Sequence, residues 1–187
     1  MAADPETLRK EVVECFDADP VVDAATGGGA SIELLRQRNL FAVATDIDGT
    51  KLHGRQPAVV ADIRRLPFRP SSLGGVLFSF CLHHIESAEE RLGCVHQAAR
   101  LLQPGGVIAI ADWREAPDFH KGWSMPDPEA LAAAGKAAGL VVEDAAQSGR
   151  LFKLVLRKPL PAQQARDERR RHHRMGRGLR TDRQRNG

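Results

Sequence analysis

Apolar runs alternate with segments of helical spacing along most of the chain, and together the two patterns predict an α/β fold. Apolar runs predict strands at 21–23, 41–45, 58–61, 75–79, 107–111, 140–143 and 151–156. Apolar residues three or four positions apart predict helices at 5–16, 32–38, 88–102 and 128–138. The run at 75–79 is uninterrupted, as expected for a strand covered by helices on both faces, whereas 151–156 alternates as an antiparallel partner would.

The connection between the second and third predicted strands departs from this pattern. Residues 48–57 are too few, and too rich in helix breakers, for a full helix. We therefore expect a turn of helix or a plain loop there, within a right-handed crossover.

Length and composition are those of a globular protein. The 187 residues suit one domain with a real core, and no secretory segment or bilayer-length apolar run of about 18 residues is present. The three cysteines, Cys15, Cys81 and Cys94, lack C-x-x-C spacing, so neither a disulfide framework nor a zinc site is predicted. We expect a soluble, cytoplasmic protein with no membrane partner and no bound metal.

Charge is distributed unevenly along the chain. The formal net charge is +3, but 11 Lys and Arg stand against 3 Asp and Glu from Arg157 onward, so the preceding body is mildly acidic. Residues 159–187 hold few apolar side chains and the run RRRHHR at 169–174. This composition predicts a domain at 1–158 and a disordered basic tail at 159–187. The tail is either only solvated or contacts a nucleic acid or another polyanion.

A glycine-rich turn follows the first predicted strand. Asp23 ends the strand, Gly27, Gly28 and Gly29 follow, and a helix then begins, so free N–H groups lie near any ligand. The dinucleotide fingerprint G-x-G-x-x-G fails because Ile32 occupies its last glycine position. Glycine-rich turns also occur without a ligand, so this turn alone leaves both interpretations open.

A second carboxylate ends the next strand. Asp46 lies 23 residues after Asp23, close to the spacing of roughly 20 residues at which Rossmann-like folds place an acid against ribose hydroxyls. A carboxylate suits this role because it accepts hydrogen bonds from both vicinal hydroxyls. Asp48 is an equally exposed competitor, and without a ligand either acid is simply a solvated residue at a strand end.

These motifs resemble those of the class I S-adenosylmethionine-dependent methyltransferases, in particular methyltransferase type 11. The stretch from Asp23 to Gly29 resembles motif I, with Ala25 at its first glycine position. Residues 62–68, DIRRLPF, are similar to the G-D-A-x-x-L-P-F segment, and residues 79–85, SFCLHHI, are similar to the S-x-x-L-H-H-I signature. The resemblance covers Val21 to about Lys158 and departs from the family at Ala25, at Gly74 and in the missing helix at 48–57.

The resemblance implies a fold, a cofactor and a set of binding residues. The fold would be a Rossmann-like, doubly wound, mostly parallel seven-stranded sheet that holds S-adenosyl-L-methionine. Asp46 would hold the ribose and Ile47 would touch the adenine, while Asp62 would accept from the adenine amino group. The complete predicted cofactor-binding set is Asp23, Ala25, Gly27, Gly29, Asp46, Ile47, Asp62, Ile63, Ser79 and Phe80.

The acceptor side is less defined by the sequence. Residues 112–128 form a long connection rich in aromatic side chains, which is either a lid over a methyl acceptor or a loop that packs on the sheet. Adjacent histidines face different directions in a helix or turn, which favours a structural role for His83 and His84 over metal binding or catalysis. A general base is needed only if the acceptor loses a proton, and the unassigned candidates are His83, His84, Asp112 and His120.

The predicted function is transfer of a methyl group from S-adenosylmethionine to an unidentified acceptor, with a small molecule as the leading candidate. The resemblance disfavours methylation of a nucleobase amino group, because no N-P-P-Y-like tetrad follows the fourth strand. Two alternatives remain open: an RNA-associated methyltransferase directed by the basic tail, and a non-catalytic domain that binds the cofactor, or nothing, as an adaptor.

Overall fold

The computed structural model describes residues 4–162, and its seven strands form one sheet. The strands are β1 (Val21–Ala24), β2 (Ala42–Asp46), β3 (Ala58–Val60), β4 (Leu73–Ser79), β5 (Leu102–Trp113), β6 (Val141–Ser148) and β7 (Leu151–Arg157). Their order in the sheet is β3-β2-β1-β4-β5-β7-β6. Strands β1 to β5 pair in parallel, whereas β7 is antiparallel to both β5 and β6. The predicted fold class is thereby confirmed.

Helices cover both faces of the sheet. They are α1 (Pro5–Val13), α2 (Ala30–Gln37), α3 (Ala88–Leu101) and α4 (Pro128–Ala137), with short 3₁₀ turns at Gly49–Leu52, Leu82–His84 and Asp118–His120. One buried apolar cluster joins the sheet to α3 and α4, and a second joins it to α1 and α2. This double coverage explains why the central strands β4 and β5 are almost wholly apolar.

Helix α1 is shorter than its apolar pattern predicts. Asp4 caps it by accepting from the N–H groups of Glu6 and Thr7, each at 2.9 Å. The helix ends at Val13, yet the predicted end residue Phe16 is still buried against the sheet. A Cβ on Gly75 would lie 2.3 Å from the Phe16 ring, so this glycine makes room for the packing. The predicted apolar face is therefore right, and the predicted helix boundary is wrong.

The crossover from β2 to β3 contains a single turn of 3₁₀ helix, Gly49–Leu52. The carboxylate of Asp48 caps this turn by accepting from the N–H group of Thr50 at 3.0 Å. Leu52 is buried and ties the turn to the domain. The prediction of a turn of helix or a loop in place of a full helix is confirmed.

Two strands extend by five residues beyond one predicted end. Strand β5 starts at Leu102, directly after α3, because Leu102 pairs with Leu73 before the register shifts between Leu73 and Gly75. Strand β6 continues to Ser148, although most of its residues are exposed. Its pairing with β7 holds it in the sheet, so an apolar pattern is not needed to form it.

Three further predictions concern the cysteines, membrane-spanning helices and the basic tail. All three cysteines are free thiols, of which Cys81 and Cys94 are buried, and burial raises the pKa of Cys94 to about 12. Over residues 4–162, no helix is long and apolar enough to cross a bilayer. Residues 163–187 of the basic tail lie outside the described part of the chain, so the predicted disorder and the domain boundary at 158 stay predictions.

Candidate active site

The principal cleft lies at the carboxyl ends of the parallel strands. Strand β1 leads to β2 and β3 on one side of the sheet, and β4 follows on the other side of β1. Such a switch point is where open α/β sheets bind their ligands. The cleft has a volume of about 670 Å³. Its lining residues are Ala25, Gly27, Asp46, Ile47, Ala61, Asp62, Ile63, Arg64, Phe80, Cys81, His84, Ile85, Glu86 and Glu90.

Seven of the ten residues predicted to bind the cofactor line this cleft. They are Ala25, Gly27, Asp46, Ile47, Asp62, Ile63 and Phe80. The other three, Asp23, Gly29 and Ser79, do not line it. Gly29 is covered by Arg55, whose guanidinium donates to the carbonyl oxygen of Gly28 at 2.7 Å and lies where a Cβ on Gly29 would be. Arg55 was not singled out from the sequence, because it lies in the irregular crossover.

Asp23 and Ser79 each keep a buried oxygen without a partner. These atoms, Asp23 Oδ2 and Ser79 Oγ, are the only unpartnered buried side-chain polar atoms within residues 4–162. Burial raises the pKa of Asp23 from its ordinary value near 3.8 to about 7. Buried polar atoms are normally hydrogen-bonded. Two unpartnered oxygens on the adjacent strands β1 and β4 therefore indicate a site shaped for a polar ligand.

The backbone of the glycine-rich turn explains one departure from the family. Ala25, which occupies the first glycine position of motif I, has φ +58°, and Gly27 and Gly29 have φ +53° and +88°. The conformation normally taken by glycine is therefore kept, although a methyl group strains it. Gly74, the second departure, has a packing reason: a Cβ there would lie 2.2 Å from the carbonyl oxygen of Ala18.

Asp46 connects the turns that follow β1 and β2. Its Oδ2 accepts from the N–H group of Gly27 at 2.9 Å and its Oδ1 from the N–H group of Asp48 at 3.0 Å. Each carboxylate oxygen has a second acceptor position, so the side chain can still accept from a ligand in the cleft. The competing acid Asp48 caps the 3₁₀ turn and does not line the cleft.

The far end of the cleft combines apolar surface with an ion pair. Ile47 lines the cleft and is 67% exposed, whereas Ile63 is almost completely buried. Asp62 accepts from Arg64, with Oδ2 and Nη2 2.6 Å apart, and these hydrogen bonds lower the pKa of the Asp62 carboxyl. Arg64 also pairs with Glu90 at 3.1 Å. Asp62 is thus already partly engaged, which the resemblance did not imply.

Phe80 marks the junction between the cleft and an aromatic cluster. Its φ of +53° is rare for a bulky residue, and strain of this kind concentrates at functional sites. The guanidinium carbon of Arg9 lies 5.2 Å from the Phe80 ring centre, and the Trp113 ring packs edge-on against the same ring at 6.0 Å. Trp113 in turn contacts Phe119, so the cluster continues into the connection after β5.

A second cavity of about 330 Å³ adjoins the principal cleft. It is lined by His83, His84, Glu86, Gly122, Trp123 and Ser124, of which His84 and Glu86 also line the cleft. His120 stacks on Trp123 with ring centres 4.0 Å apart. The connection at 112–128 therefore does reach the site, although the lid role predicted for it stays a prediction.

A buried arginine fixes this connection in place. Arg91 donates from Nη2 to the carbonyl oxygen of Ser124 at 2.6 Å and from Nη1 to that of Met125 at 2.9 Å. Its Nε donates to the carbonyl oxygen of Ile85 at 2.6 Å. Sequence reasoning missed Arg91, although its position four residues before the buried Val95 on α3 was a signal that it faces inward.

The two adjacent histidines have different surroundings. His83 is buried, and its Nδ1 lies 2.6 Å from Oδ1 of the buried Asp112. His84 faces both cavities, and desolvation together with the neighbouring rings of His83 and His120 lowers the pKa of His84. Sequence reasoning named these groups separately and missed the pairing of His83 with Asp112. Within residues 4–162, no group of three or more possible ligands is arranged to hold a metal ion.

Solved structures share this architecture. An S-adenosylmethionine-dependent methyltransferase from Archaeoglobus fulgidus has a TM-score of 0.69 at 13% identity, covering 83% of this chain and 95% of that chain. The 1,6-didemethyltoxoflavin-N1-methyltransferase of Burkholderia thailandensis, solved with 1,6-didemethyltoxoflavin and S-adenosylhomocysteine, has a TM-score of 0.64 at 19% identity, covering 82% and 79%. The fold is that of the class I S-adenosylmethionine-dependent methyltransferases.

Sequence comparison finds matches to proteins of the same class. Residues 22–110 match the type 11 family that is described as a methyltransferase domain. A demethylmenaquinone methyltransferase of Corynebacterium urealyticum is 33% identical over 99 residues, which make up 51% of this chain and 42% of that protein. The match thus spans less than half the length of that relative. Together with the shared fold, these matches support a class I S-adenosylmethionine-dependent methyltransferase, and they indicate S-adenosylmethionine as its cofactor.

Proposed function

We propose that the principal cleft binds S-adenosylmethionine and that the domain transfers the methyl group to a small molecule in the adjoining cavity. The observation that carries this proposal is the convergence of Asp46 and the glycine-rich turn on the cleft at the switch point, with the unpartnered Oδ2 of Asp23 buried at the end of the adjacent strand β1. The match to the methyltransferase family supports it independently, because the matched residues 22–110 include all three.

The residues present fit the cofactor. Asp46 has acceptor positions left for the ribose hydroxyls, and the exposed Ile47 with Ile63 provides apolar surface for the adenine. Asp62 would accept from the adenine amino group alongside its contact with Arg64. The unpartnered oxygen of Asp23 would pair with the amino group of the methionine part, which compensates its burial.

When bound, S-adenosylmethionine supplies a sulfonium methyl group that is open to attack by a nucleophile. The contribution of the chain is alignment and exclusion of water. Arg91 holds the connection after β5 against α3, and Trp123 and His84 border the second cavity. An acceptor lying there would be next to the cofactor cleft, because the two cavities share His84 and Glu86.

A small-molecule acceptor is supported by the names of similar proteins. A relative is called a demethylmenaquinone methyltransferase, and a structural neighbour was solved with 1,6-didemethyltoxoflavin. The volume of the second cavity, about 330 Å³, suits a compact ligand. The RNA-associated alternative depends on the basic tail beyond the described residues and stays a prediction, as does the adaptor alternative.

Calorimetric titration with S-adenosylmethionine and S-adenosylhomocysteine tests the cofactor site. We expect Asp46→Ala to weaken both by at least about tenfold, since charge-assisted hydrogen bonds to the ribose are lost. Asp48→Ala is the matched control, because Asp48 is a neighbouring acid outside the cleft, and it should bind like the wild type. Ile47→Asn is a second probe at an exposed position. Absence of binding by the folded wild type would contradict the proposal.

A further inference from the structure

We infer that His83, held by Asp112, is the general base for the methyl acceptor, and that the acceptor is a flat ring bearing a hydroxyl group. This inference rests on the proposed function, because it assigns chemistry to the second cavity of the same site. It also replaces the structural role that the sequence favoured for the two histidines.

Asp112 fixes the tautomer of His83. Asp112 Oδ2 accepts from the backbone N–H groups of Leu82 at 2.9 Å and His83 at 3.3 Å, and Oδ1 accepts from that of Trp113 at 2.8 Å. A carboxylate surrounded by N–H donors offers only acceptor positions to the imidazole. His83 therefore donates from Nδ1 at 2.6 Å, and its Nε2 carries the free lone pair.

The lone pair on Nε2 is available to a molecule in the second cavity. His83 lines the second cavity, although its side chain is only 4% exposed. Its Nδ1 is hydrogen-bonded to Asp112. Within residues 4–162, the fully buried side-chain polar atoms that lack a partner are Asp23 Oδ2 and Ser79 Oγ, so Nε2 is not one of them. Nε2 is thus the ring nitrogen that a molecule in the cavity can reach.

The buried carboxylate of Asp112 holds the imidazole of His83 in place. Asp112 is completely buried at the end of β5, where β7 pairs with it through Phe152. An imidazole oriented by a buried carboxylate is the arrangement that favours proton uptake at the opposite nitrogen. The charged or titratable groups around His83 are Asp112 on β5, His84 and Cys81 on its own turn, His120 and Glu86 beside the cavity, and Arg91 on α3.

The aromatic side chains beside the second cavity indicate the shape of the acceptor. The rings of His84, His120 and Trp123 lie within 4.0–5.8 Å of one another beside the cavity. Aromatic walls favour a flat ring, which stacks or packs edge-on against them. A base at Nε2 is useful only to an acceptor that must lose a proton, and a ring hydroxyl meets both conditions.

The reaction moves a proton from the acceptor to His83 and a methyl group from sulfur to the acceptor oxygen. The O–H bond of the acceptor breaks and its proton goes to Nε2 of His83, giving an imidazolium that Asp112 stabilises. The oxygen electron pair forms the bond to the methyl carbon, and the electron pair of the broken carbon–sulfur bond stays on sulfur. The products are the methyl ether and S-adenosylhomocysteine, and the imidazolium returns its proton to water.

The test follows methylation of catechol, hydroquinone and 2-naphthol with tritium-labelled S-adenosylmethionine by the full chain. His83→Asn keeps an N–H donor toward Asp112 but has no base, and it should lower kcat/KM by about 100-fold or more. The rise of kcat/KM with pH on the acid side should disappear in this variant. His96→Asn on the exposed surface of α3 is the matched control and should behave like the wild type.

Two further measurements separate this inference from the proposed function. Calorimetry with S-adenosylhomocysteine should give the same affinity for His83→Asn as for the wild type, which also shows that the variant folds. Nitrogen-15 spectra of the imidazoles should show His83 with its proton on Nδ1. A proton on Nε2, an unchanged pH profile in His83→Asn, or methylation of none of the three probes by a protein that binds S-adenosylhomocysteine would overturn the inference while leaving the cofactor site intact.

Discussion

The cofactor side and the acceptor side of the site are built in different ways. On the cofactor side, residues that directly follow β1, β2 and β3 line an open cleft, and several keep unused acceptor positions or exposed apolar surface. On the acceptor side, buried charged groups fix the structure: Arg91 binds the connection after β5, and Asp112 binds His83. A ligand is thus expected to fill open positions on the cofactor side, whereas the buried charged groups of the acceptor side already have protein partners.

The largest expected effect concerns the burial of Asp23 on the cofactor side. With its pKa raised from 3.8 to about 7, the folded protein takes up a proton that the unfolded chain does not bind between these pH values. Asp23 by itself should therefore lower the free energy of unfolding as the pH rises from 4 to 7, by at most about 4 kcal/mol. Asp23→Asn should lack this contribution.

Urea unfolding at several pH values measures this effect. Wild type and Asp23→Asn should be similar at pH 4, and the variant should be the more stable at pH 8. S-adenosylhomocysteine should reduce the fall in the wild type, because a paired amino group favours the ionised carboxylate. Parallel stability profiles for the two proteins would show that the burial of Asp23 carries no such cost.

The second prediction concerns the anchor of the acceptor side. Arg91→Met removes the donors to Ile85, Ser124 and Met125 and leaves their carbonyl oxygens unpaired, so we expect a loss of about 2–3 kcal/mol in unfolding free energy. Arg100→Met, on the exposed surface of the same helix, should cost little. Acceptor turnover should suffer more than cofactor affinity. Equal loss of both would mean that the two sides are not built independently.

The third prediction tests the connection after β5 as a lid. Trp123→Ala should lower acceptor turnover about tenfold while cofactor binding is nearly unchanged, because Trp123 lines only the second cavity. Phe119→Ala is the control on the same connection, since Phe119 is 72% exposed and lines neither cavity. Steady-state kinetics and calorimetry give the two quantities. A matched drop in both for Trp123→Ala would argue against the lid.

The smallest expected effect is at the strained alanine of the glycine-rich turn. Ala25→Gly should raise the unfolding free energy by under about 1 kcal/mol, because the relief of left-handed strain exceeds the entropy that glycine adds to the unfolded chain. Ala130→Gly in α4 should have the opposite sign, with a cost of about 0.5–1 kcal/mol. Thermal unfolding distinguishes the two. A loss of stability at Ala25 would show that its methyl group contributes packing that outweighs the strain.

The same comparison explains how much the sequence could predict. Residues that follow parallel strands lie at the carboxyl edge of the sheet. A motif such as Asp46-Ile47 therefore indicates a position in the cleft before any contact is known. The helices and strands followed from local periodicity, whereas the Rossmann-like seven-stranded sheet was implied by the family resemblance. The exposed end of β6 and the early start of β5 could not be predicted this way, because strand pairing forms them and the apolar pattern does not.

The acceptor side depends on contacts between distant parts of the chain. His83 and Asp112 are 29 residues apart, and Arg91 reaches residues 33 and 34 positions away. Neither distance has a periodic signature, so His83 and Asp112 could be named as candidates but not paired, and Arg91 was missed. The engagement of Asp62 by Arg64 shows a further limit, since a family motif does not reveal which neighbour already occupies a side chain.

Amide hydrogen exchange with and without S-adenosylhomocysteine tests the central claim most directly, because it locates the ligand on the wild-type chain. We predict slower exchange in the turn after β1, at the end of β2, in the segment that follows β3 and near Phe80, with β6 unchanged. Protection confined to another surface, or none at ligand concentrations that saturate related enzymes, would contradict the assignment of the cleft to the cofactor.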